Sequence, residues 1–314
     1  MKQYEALHLR ASLYAKIRQF FYEKNVMEVE TPVFSRFGNT DPQIHSLCAG
    51  FSLISDPTDL RYAHTSPEFA MKRLLANGVD SIYQICKVFR VGECGRLHNP
   101  EFSMLEWYRV GFTYHRLMDE VSTLLAVVGI SSEPRRVTYQ QLFMEHFQID
   151  VRVASLKQLK ACARQCGIDV VGMSDDRDEW FDLLMSHAIE PHLGHDAPLF
   201  VYDYPASQAA LANIRQHPYP VAERFELYIN GVELANGYQE LVDREAYQTR
   251  FESDNAKRIA KGLIEMPFDE NLLHDLRKGF PQCSGVALGL DRLLMVLCQS
   301  ADIADVIISD DVCN

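Results

Sequence analysis

Apolar positions recur at helical spacing near the start of the chain. Leu13, Ile17, Phe20 and Phe21 stand on an otherwise polar segment, which predicts a helix ending near Asn25. Residues 26–30 predict a short strand, and Pro32 stops regular pairing after it. Turn signals such as Gly38-Asn39 and Asp41-Pro42 predict loops or hairpins over 35–61. Ser66-Pro67-Glu68 predicts a helix start, with Ser as N-cap, Pro at the first helical position and an acid in the first turn. That helix runs to about Ala76. Two strands are predicted over 81–89 and 102–108, separated by a polar loop over 90–100. A helix follows over 114–128, then a linker inside the domain over 129–136, then a mostly helical, charged stretch to about 195. Asn230-Gly231 predicts a hairpin between strands at 224–228 and 231–236. The chain closes with a charged helix over 244–261, a short apolar strand at 286–288 and, after Gly289, a helix over 290–298.

Composition narrows the class. The 314 residues are 47% hydrophobic and 24% charged, values of a globular protein with ample length for a core. No stretch reaches the roughly 18 apolar residues of a membrane span. The N-terminus lacks an unbroken apolar core and a cleavage site, so it does not read as a signal peptide. A net charge of −12 repels polyanions and weighs against nucleic acid as the main partner, although a local basic patch would escape that argument. The eight cysteines are scattered without a CxxC pair and read as reduced thiols, mostly small core residues, of a cytoplasmic protein.

Three segments carry chemistry. The loop between the strands at 81–89 and 102–108 holds Arg90, Arg96, His98 and Asn99, a set suited to closing over a polyanion such as triphosphate. An ordinary solvated charged hairpin would have the same composition. On the returning strand, alternation puts Phe102, Met104, Glu106 and Tyr108 on one face. Glu106 is then an acid among apolar neighbours and needs a partner, either a ligand ammonium or a nearby arginine. The second segment runs from Gly231 to Glu240. Its acids Glu233 and Glu240 bracket Asn236 and suit Mg²⁺ held between carboxylates and phosphates, or else a solvent-facing strand edge. In the third, Ser284 to Arg292, glycines allow close approach of a ligand to the backbone. Arg292 falls in the first turn of a helix, where a cation opposes the helix dipole unless a phosphate binds there.

These segments, in this order, resemble the catalytic domain of the class II aminoacyl-tRNA synthetases, specifically the lysyl subgroup. Residues 26–32 are similar to motif 1, 89–108 to motif 2 and 285–294 to motif 3. Within that group TSPEFAMKRLL, HNPEFSMLEWYR, FVYDYPASQAALA, ELANGYQEL and CSGVALGLDR resemble the truncated paralogues that ligate (R)-β-lysine to elongation factor P. The resemblance implies an α+β fold, an antiparallel sheet flanked by helices. It implies one catalytic domain over 1–314 with a helical insertion at about 114–195 and no anticodon-binding domain, which argues against tRNA as acceptor. It implies ATP and Mg²⁺, a homodimer, and transfer of (R)-β-lysine to a lysine of elongation factor P. The alternatives are a truncated synthetase charging tRNA or another small acceptor, and an inactive regulatory paralogue. The last should show degraded motifs, yet Arg90, Glu233, Glu240 and Arg292 are all present.

By the same resemblance, Arg90 and Arg292 are the catalytic cations. Arg90, Val91, Gly92, Glu93, His98, Asn99, Glu233, Leu234, Gly289 and Arg292 would bind ATP. Ser66, Pro67, Glu68, Glu106, Tyr108, Asn236, Glu240 and Ala287 would hold the amino acid. Glu233 and Glu240 would hold Mg²⁺. Two positions depart from the lysyl pattern. Arg90-Val91-Gly92 replaces Arg-x-Glu, with Glu93 one residue late, and Ala287 stands where the synthetases have Gly. The extra methyl would narrow the amino acid pocket in favour of a β-amino acid.

Overall fold

The computed structural model describes residues 3–50 and 59–308. The chain opens with α1 (Gln3–Glu23), which buries Leu13, Ile17, Phe20 and Phe21 as the helical spacing requires. β1 (Met27–Glu28) pairs in parallel with β5 (Ile82–Phe89). Between them β2 (Phe34–Ser35), β3 (Cys48–Gly50) and β4 (Leu60–Ala63) form a small antiparallel sheet, and α2 (Glu68–Ala76) follows. β6 (Glu101–Val110) returns along β5, and α3 (Tyr114–Val128) ends at Gly129 in the left-handed region.

The next stretch is β7 (Arg135–Thr138), α4 (Tyr139–Phe147), α5 (Leu156–Gln165) and α6 (Arg177–Leu184), with a π-helical turn to Ile189. β7 falls partly in the expected linker and pairs in parallel with β8 (Leu199–Pro205), a strand the helical reading of this region did not anticipate. Four residues with two arginines carry too little alternation to announce a strand. β9 (Ile214–Arg215) pairs with β10 (Val221–Ile229), which turns into β11 (Val232–Gln239). At that turn Asn230 and Gly231 both have positive φ, 52° and 72°, the geometry for which Asn-Gly is favoured. α7 (Arg244–Ala260), α8 (Glu270–Leu276), β12 (Cys283–Gly289) and α9 (Leu290–Cys298) complete the chain.

The large sheet runs β1-β5-β6-β12-β11-β10-β8-β7 and is antiparallel except at its two ends. One face is sealed by α1, α3 and α9 around Leu105, Trp107, Leu227, Ala235, Val286 and Leu288. The segment expected as one helical insertion therefore divides. α3 belongs to this first core, whereas α4, α5 and α6 build a second one with Val201, Tyr204, Ala222 and Tyr228. On the other face α2, α7 and α8 pack at one end and the second core at the other. The middle of that face stays open. Of the expected reduced thiols, mostly in the core, Cys162 and Cys283 are buried and Cys86 and Cys298 half-buried, whereas Cys48 and Cys166 are exposed and Cys94 is disulfide-bonded. Among the described residues no helix is long and apolar enough to cross a membrane.

Candidate active site

The floor of the open face is written in cross-strand registers. Glu106, Ala287, Asn236 and Glu226 are direct partners in one row across β6, β12, β11 and β10. Tyr108, Gly285, Tyr238 and Arg224 make the next row. Directly opposed residues share a face, so both rows point the same way. A Cβ on Gly285 would meet the Tyr108 ring at 2.3 Å and Glu240 Oε1 at 2.5 Å, so only glycine fits under these two side chains. β11 also carries a bulge. Ala235 opposes Leu227 and Glu233 opposes Tyr228, which leaves Leu234 as an extra residue. The bulge turns Glu233 onto the same face as Asn236, Tyr238 and Glu240.

One end of the site is acidic and buried. Glu106 is 2% exposed and accepts hydrogen bonds from Ser66 Oγ and Tyr108 Oη, each at 2.6 Å. Burial, then the charge of Glu68, pushes its carboxyl up to about 8. No arginine pairs with it among the described residues, so the structural salt bridge is excluded. Ser66 is not the N-cap of α2. The helix begins at Glu68 with Pro67 as N-cap, and the Ser66 hydroxyl serves Glu106 while accepting from Glu68 N at 3.1 Å. Lys72, fully buried, joins this end by ion pairs to Glu68 Oε1 at 2.5 Å and Glu240 Oε2 at 2.6 Å. Burial, with Glu68 beside it, raises the Glu240 carboxyl to about 7 against the pull of Lys72.

The other end is cationic. Arg90 leaves β5, donates to Thr65 O at 3.2 Å, lies over the Phe102 ring and pairs with Glu93 at 3.5 Å. Arg292 in the first turn of α9 donates to Glu233 O at 2.8 Å and to Leu97 O at 3.3 Å, and meets His98 Nε2 at 2.7 Å. Burial and the Arg292 charge lower the His98 pKa and keep it neutral. Gly289 caps α9 without a side-chain bond, so its first N–H groups remain open to an anion. Asp291 anchors this turn by accepting from Ser103 N at 2.6 Å and Arg10 at 2.5 Å.

Both ends line one cavity of about 300 Å³. It gathers Arg90, Glu93, His98, Asn99, Glu233, Leu234, Gly289 and Arg292 together with Ser66, Glu68, Glu106, Tyr108, Asn236, Glu240 and Ala287. Three expected residues fall outside it. Val91 and Gly92 sit in the turn after β5, with Val91 45% exposed, and Pro67 faces a neighbouring cleft.

Glu233 and Glu240, expected to hold Mg²⁺ together, both line this cavity, and Glu240 is also in an ion pair with Lys72. The carboxylate near Glu233 is Glu226, two residues along β10 from Glu233's partner Tyr228 and on the same face. Burial and the Glu226 charge raise the Glu233 pKa against the pull of Arg292, Arg224 and Arg90. Glu226 and Lys72 were missed from sequence. Glu226 was legible, since the hairpin register places it opposite Asn236, and Lys72 stands one helical turn beyond Glu68.

Comparison with known proteins agrees with this geometry. The family model of the class II tRNA synthetases of the D, K and N type matches residues 1–309. A Vibrio parahaemolyticus protein named elongation factor P–(R)-β-lysine ligase is 50% identical over 295 residues, 93% of this chain and 91% of that protein. Proteins of the same name from Pectobacterium atrosepticum and Salmonella typhi are 46% and 45% identical, over 95% of this chain and 92% of each relative. The chain belongs to the class II tRNA synthetase family, in its branch of elongation factor P–(R)-β-lysine ligases.

Proposed function

We propose that this protein activates (R)-β-lysine with ATP and transfers it to a lysine ε-amine of elongation factor P. The observation that carries this is the two-ended cavity, with buried Glu106 and Glu240 at one end and Arg90 and Arg292 at the other. A diamino acid has two ammonium groups and one carboxylate, and ATP is a polyanion; each matches one end.

In the first step a substrate carboxylate oxygen attacks the ATP α-phosphorus, and the bond to pyrophosphate breaks. Arg90 neutralises the α-phosphate and orients the carboxylate, and Arg292 receives the γ-phosphate side. Asn99 Oδ1, buried and without a partner among the described residues, suits the adenine amine. Glu233 and Glu240, which both line the cavity, would hold Mg²⁺ together with the phosphates, and the ion would supply charge neutralisation there. In the second step the acceptor ammonium first loses a proton to solvent, the neutral amine attacks the acyl carbon, the C–O bond to AMP breaks, AMP leaves as the phosphate anion and the new amide nitrogen sheds its remaining extra proton. The Ala287 methyl stands in the row between Glu106 and Asn236, where it would favour the β-amino acid over α-lysine.

A cytoplasmic homodimer, formed across β1 at the edge of the sheet with Met27 52% exposed, completes the reading. Mass spectrometry of elongation factor P after incubation with the enzyme, ATP and (R)-β-lysine tests it. The expected result is one added β-lysyl group on one lysine. Charging of tRNA with no change in elongation factor P would overturn it.

A further inference from the structure

A second cavity, about 830 Å³, opens off the first between α6 and α7. The two meet at Asn39, Glu68, Asn236 and Tyr238, which line both. Nine carboxylates line this second cavity against three cations, Arg224, Lys257 and Lys261. Two of those cations are already engaged, Arg224 with Glu226 and Lys261 with Glu179. An anion is therefore repelled, and a cationic guest is attracted along the whole path to the pocket.

Acidity alone would be a solvated surface, but the wall holds a built feature. Tyr139, the first residue of α4, is 1% exposed, with its ring stacked on Phe143 at 4.7 Å. The residue lines the cavity, and its buried hydroxyl has no hydrogen-bond partner among the described residues. A buried hydroxyl without a partner is destabilising, so a native fold keeps one where something else supplies the bond. The carboxylates that act on it most strongly are Asp182 and Glu226. Asp182 accepts one side-chain hydrogen bond, from Gln208 Nε2 at 2.7 Å, is in no ion pair among the described residues, and lines the cavity. Partial burial pushes its carboxyl up to about 6 against the pull of Arg224, so it is ionised at neutral pH.

We propose that this cavity is the acceptor's site: the ammonium of the incoming lysine is received between Asp182 and the Tyr139 hydroxyl before its nitrogen reaches the activated amino acid. The amino acid's own ammonium groups have their partners in the first cavity. Apart from Mg²⁺, which belongs with the phosphates, the acceptor lysine is the one further cation the reaction requires. The inference rests on the proposed function and deepens it.

The test separates the half-reactions. Asp182→Asn and Tyr139→Phe keep the shape of the wall and remove one charge or one hydroxyl. Pyrophosphate exchange with (R)-β-lysine should stay within twofold of wild type in both. The apparent KM for elongation factor P, measured on preformed adenylate, should rise at least tenfold in Asp182→Asn and about threefold in Tyr139→Phe, with Asp182→Glu recovering part of the loss. An unchanged acceptor KM in both variants overturns the proposal. So does loss of exchange in Asp182→Asn, which would place that residue in the activation pocket. Wild-type enzyme that exchanges pyrophosphate yet never modifies elongation factor P would overturn the underlying reading, and this proposal with it.

Discussion

Arg90 and Arg292 reach the phosphate end of the pocket from a loop and a helix, with side chains 24% and 22% exposed and each tethered to backbone carbonyls. Glu106 and Glu240 stand at the amino acid end on the sheet, each 2% exposed, with carboxyls raised to about 8 and about 7. A guanidinium stays charged wherever it is placed, so it tolerates a half-open loop that must admit and release a nucleotide. A carboxylate in low dielectric is conditional. Its ionisation is favoured only when a cation arrives, so the amino acid end discriminates by charge and the phosphate end does not.

The severest way to break this contrast is at the cationic end. Arg90→Ala should lower pyrophosphate exchange by about a thousandfold or more, since the charge it neutralises develops only in the transition state; circular dichroism should be unchanged. Exchange near wild type would overturn its role. At the acidic end Lys72→Met leaves Glu68 and Glu240 without their cation. Losing one partner of a buried pair costs about 3–5 kcal/mol, so thermal melting should show a marked fall in Tm, partly restored by saturating amino acid.

Glu106→Gln mimics the protonated carboxyl. It should raise the amino acid KM about 10- to 100-fold, the range of a charge-assisted hydrogen bond, and leave the KM for ATP unmoved. A pH series sharpens the same point. An ammonium binds the ionised form, so in wild type the amino acid KM should fall as pH rises toward about 8, by up to tenfold per unit, and level off above it. The stability of the empty protein runs the other way. Unfolded Glu106 loses its proton near 4.5 and folded Glu106 near 8, so its contribution declines as pH climbs between them. The smallest effect belongs to Ala287→Gly, which should reduce the preference for (R)-β-lysine over α-lysine by roughly tenfold with little change in stability. An unaltered ratio would remove Ala287 from specificity.

The same contrast explains what could be read in advance. The cationic end was visible because Arg90, His98 and Asn99 crowd one loop, and Arg292 sits where a helix start disfavours a cation. The hairpin at Asn230-Gly231 and the helices at α3 and α9 were equally legible, since local turn and cap chemistry determines them. The acidic end draws on α2, β6 and β11, and its logic lies in pairings far apart in sequence. Lys72 looked like one more polar residue of an amphipathic helix until Glu240 was brought to it. Glu226, which raises the Glu233 carboxyl from across the ladder, was overlooked for the same reason. β7 was missed because a four-residue strand with two arginines has almost no signature of its own, whereas β8, seven residues of mostly apolar and aromatic chain, carried a signal that was overlooked.

The extra residue at Leu234 lets Glu233 and Asn236, three apart, face the same way, and the rest of the segment has no such slack. A substitution along β11 alters one contact, but deleting a single residue between Asn236 and Glu240 would put Glu240 out of phase with Glu233 and Asn236. Relatives can therefore vary the letters of this strand far more freely than its count.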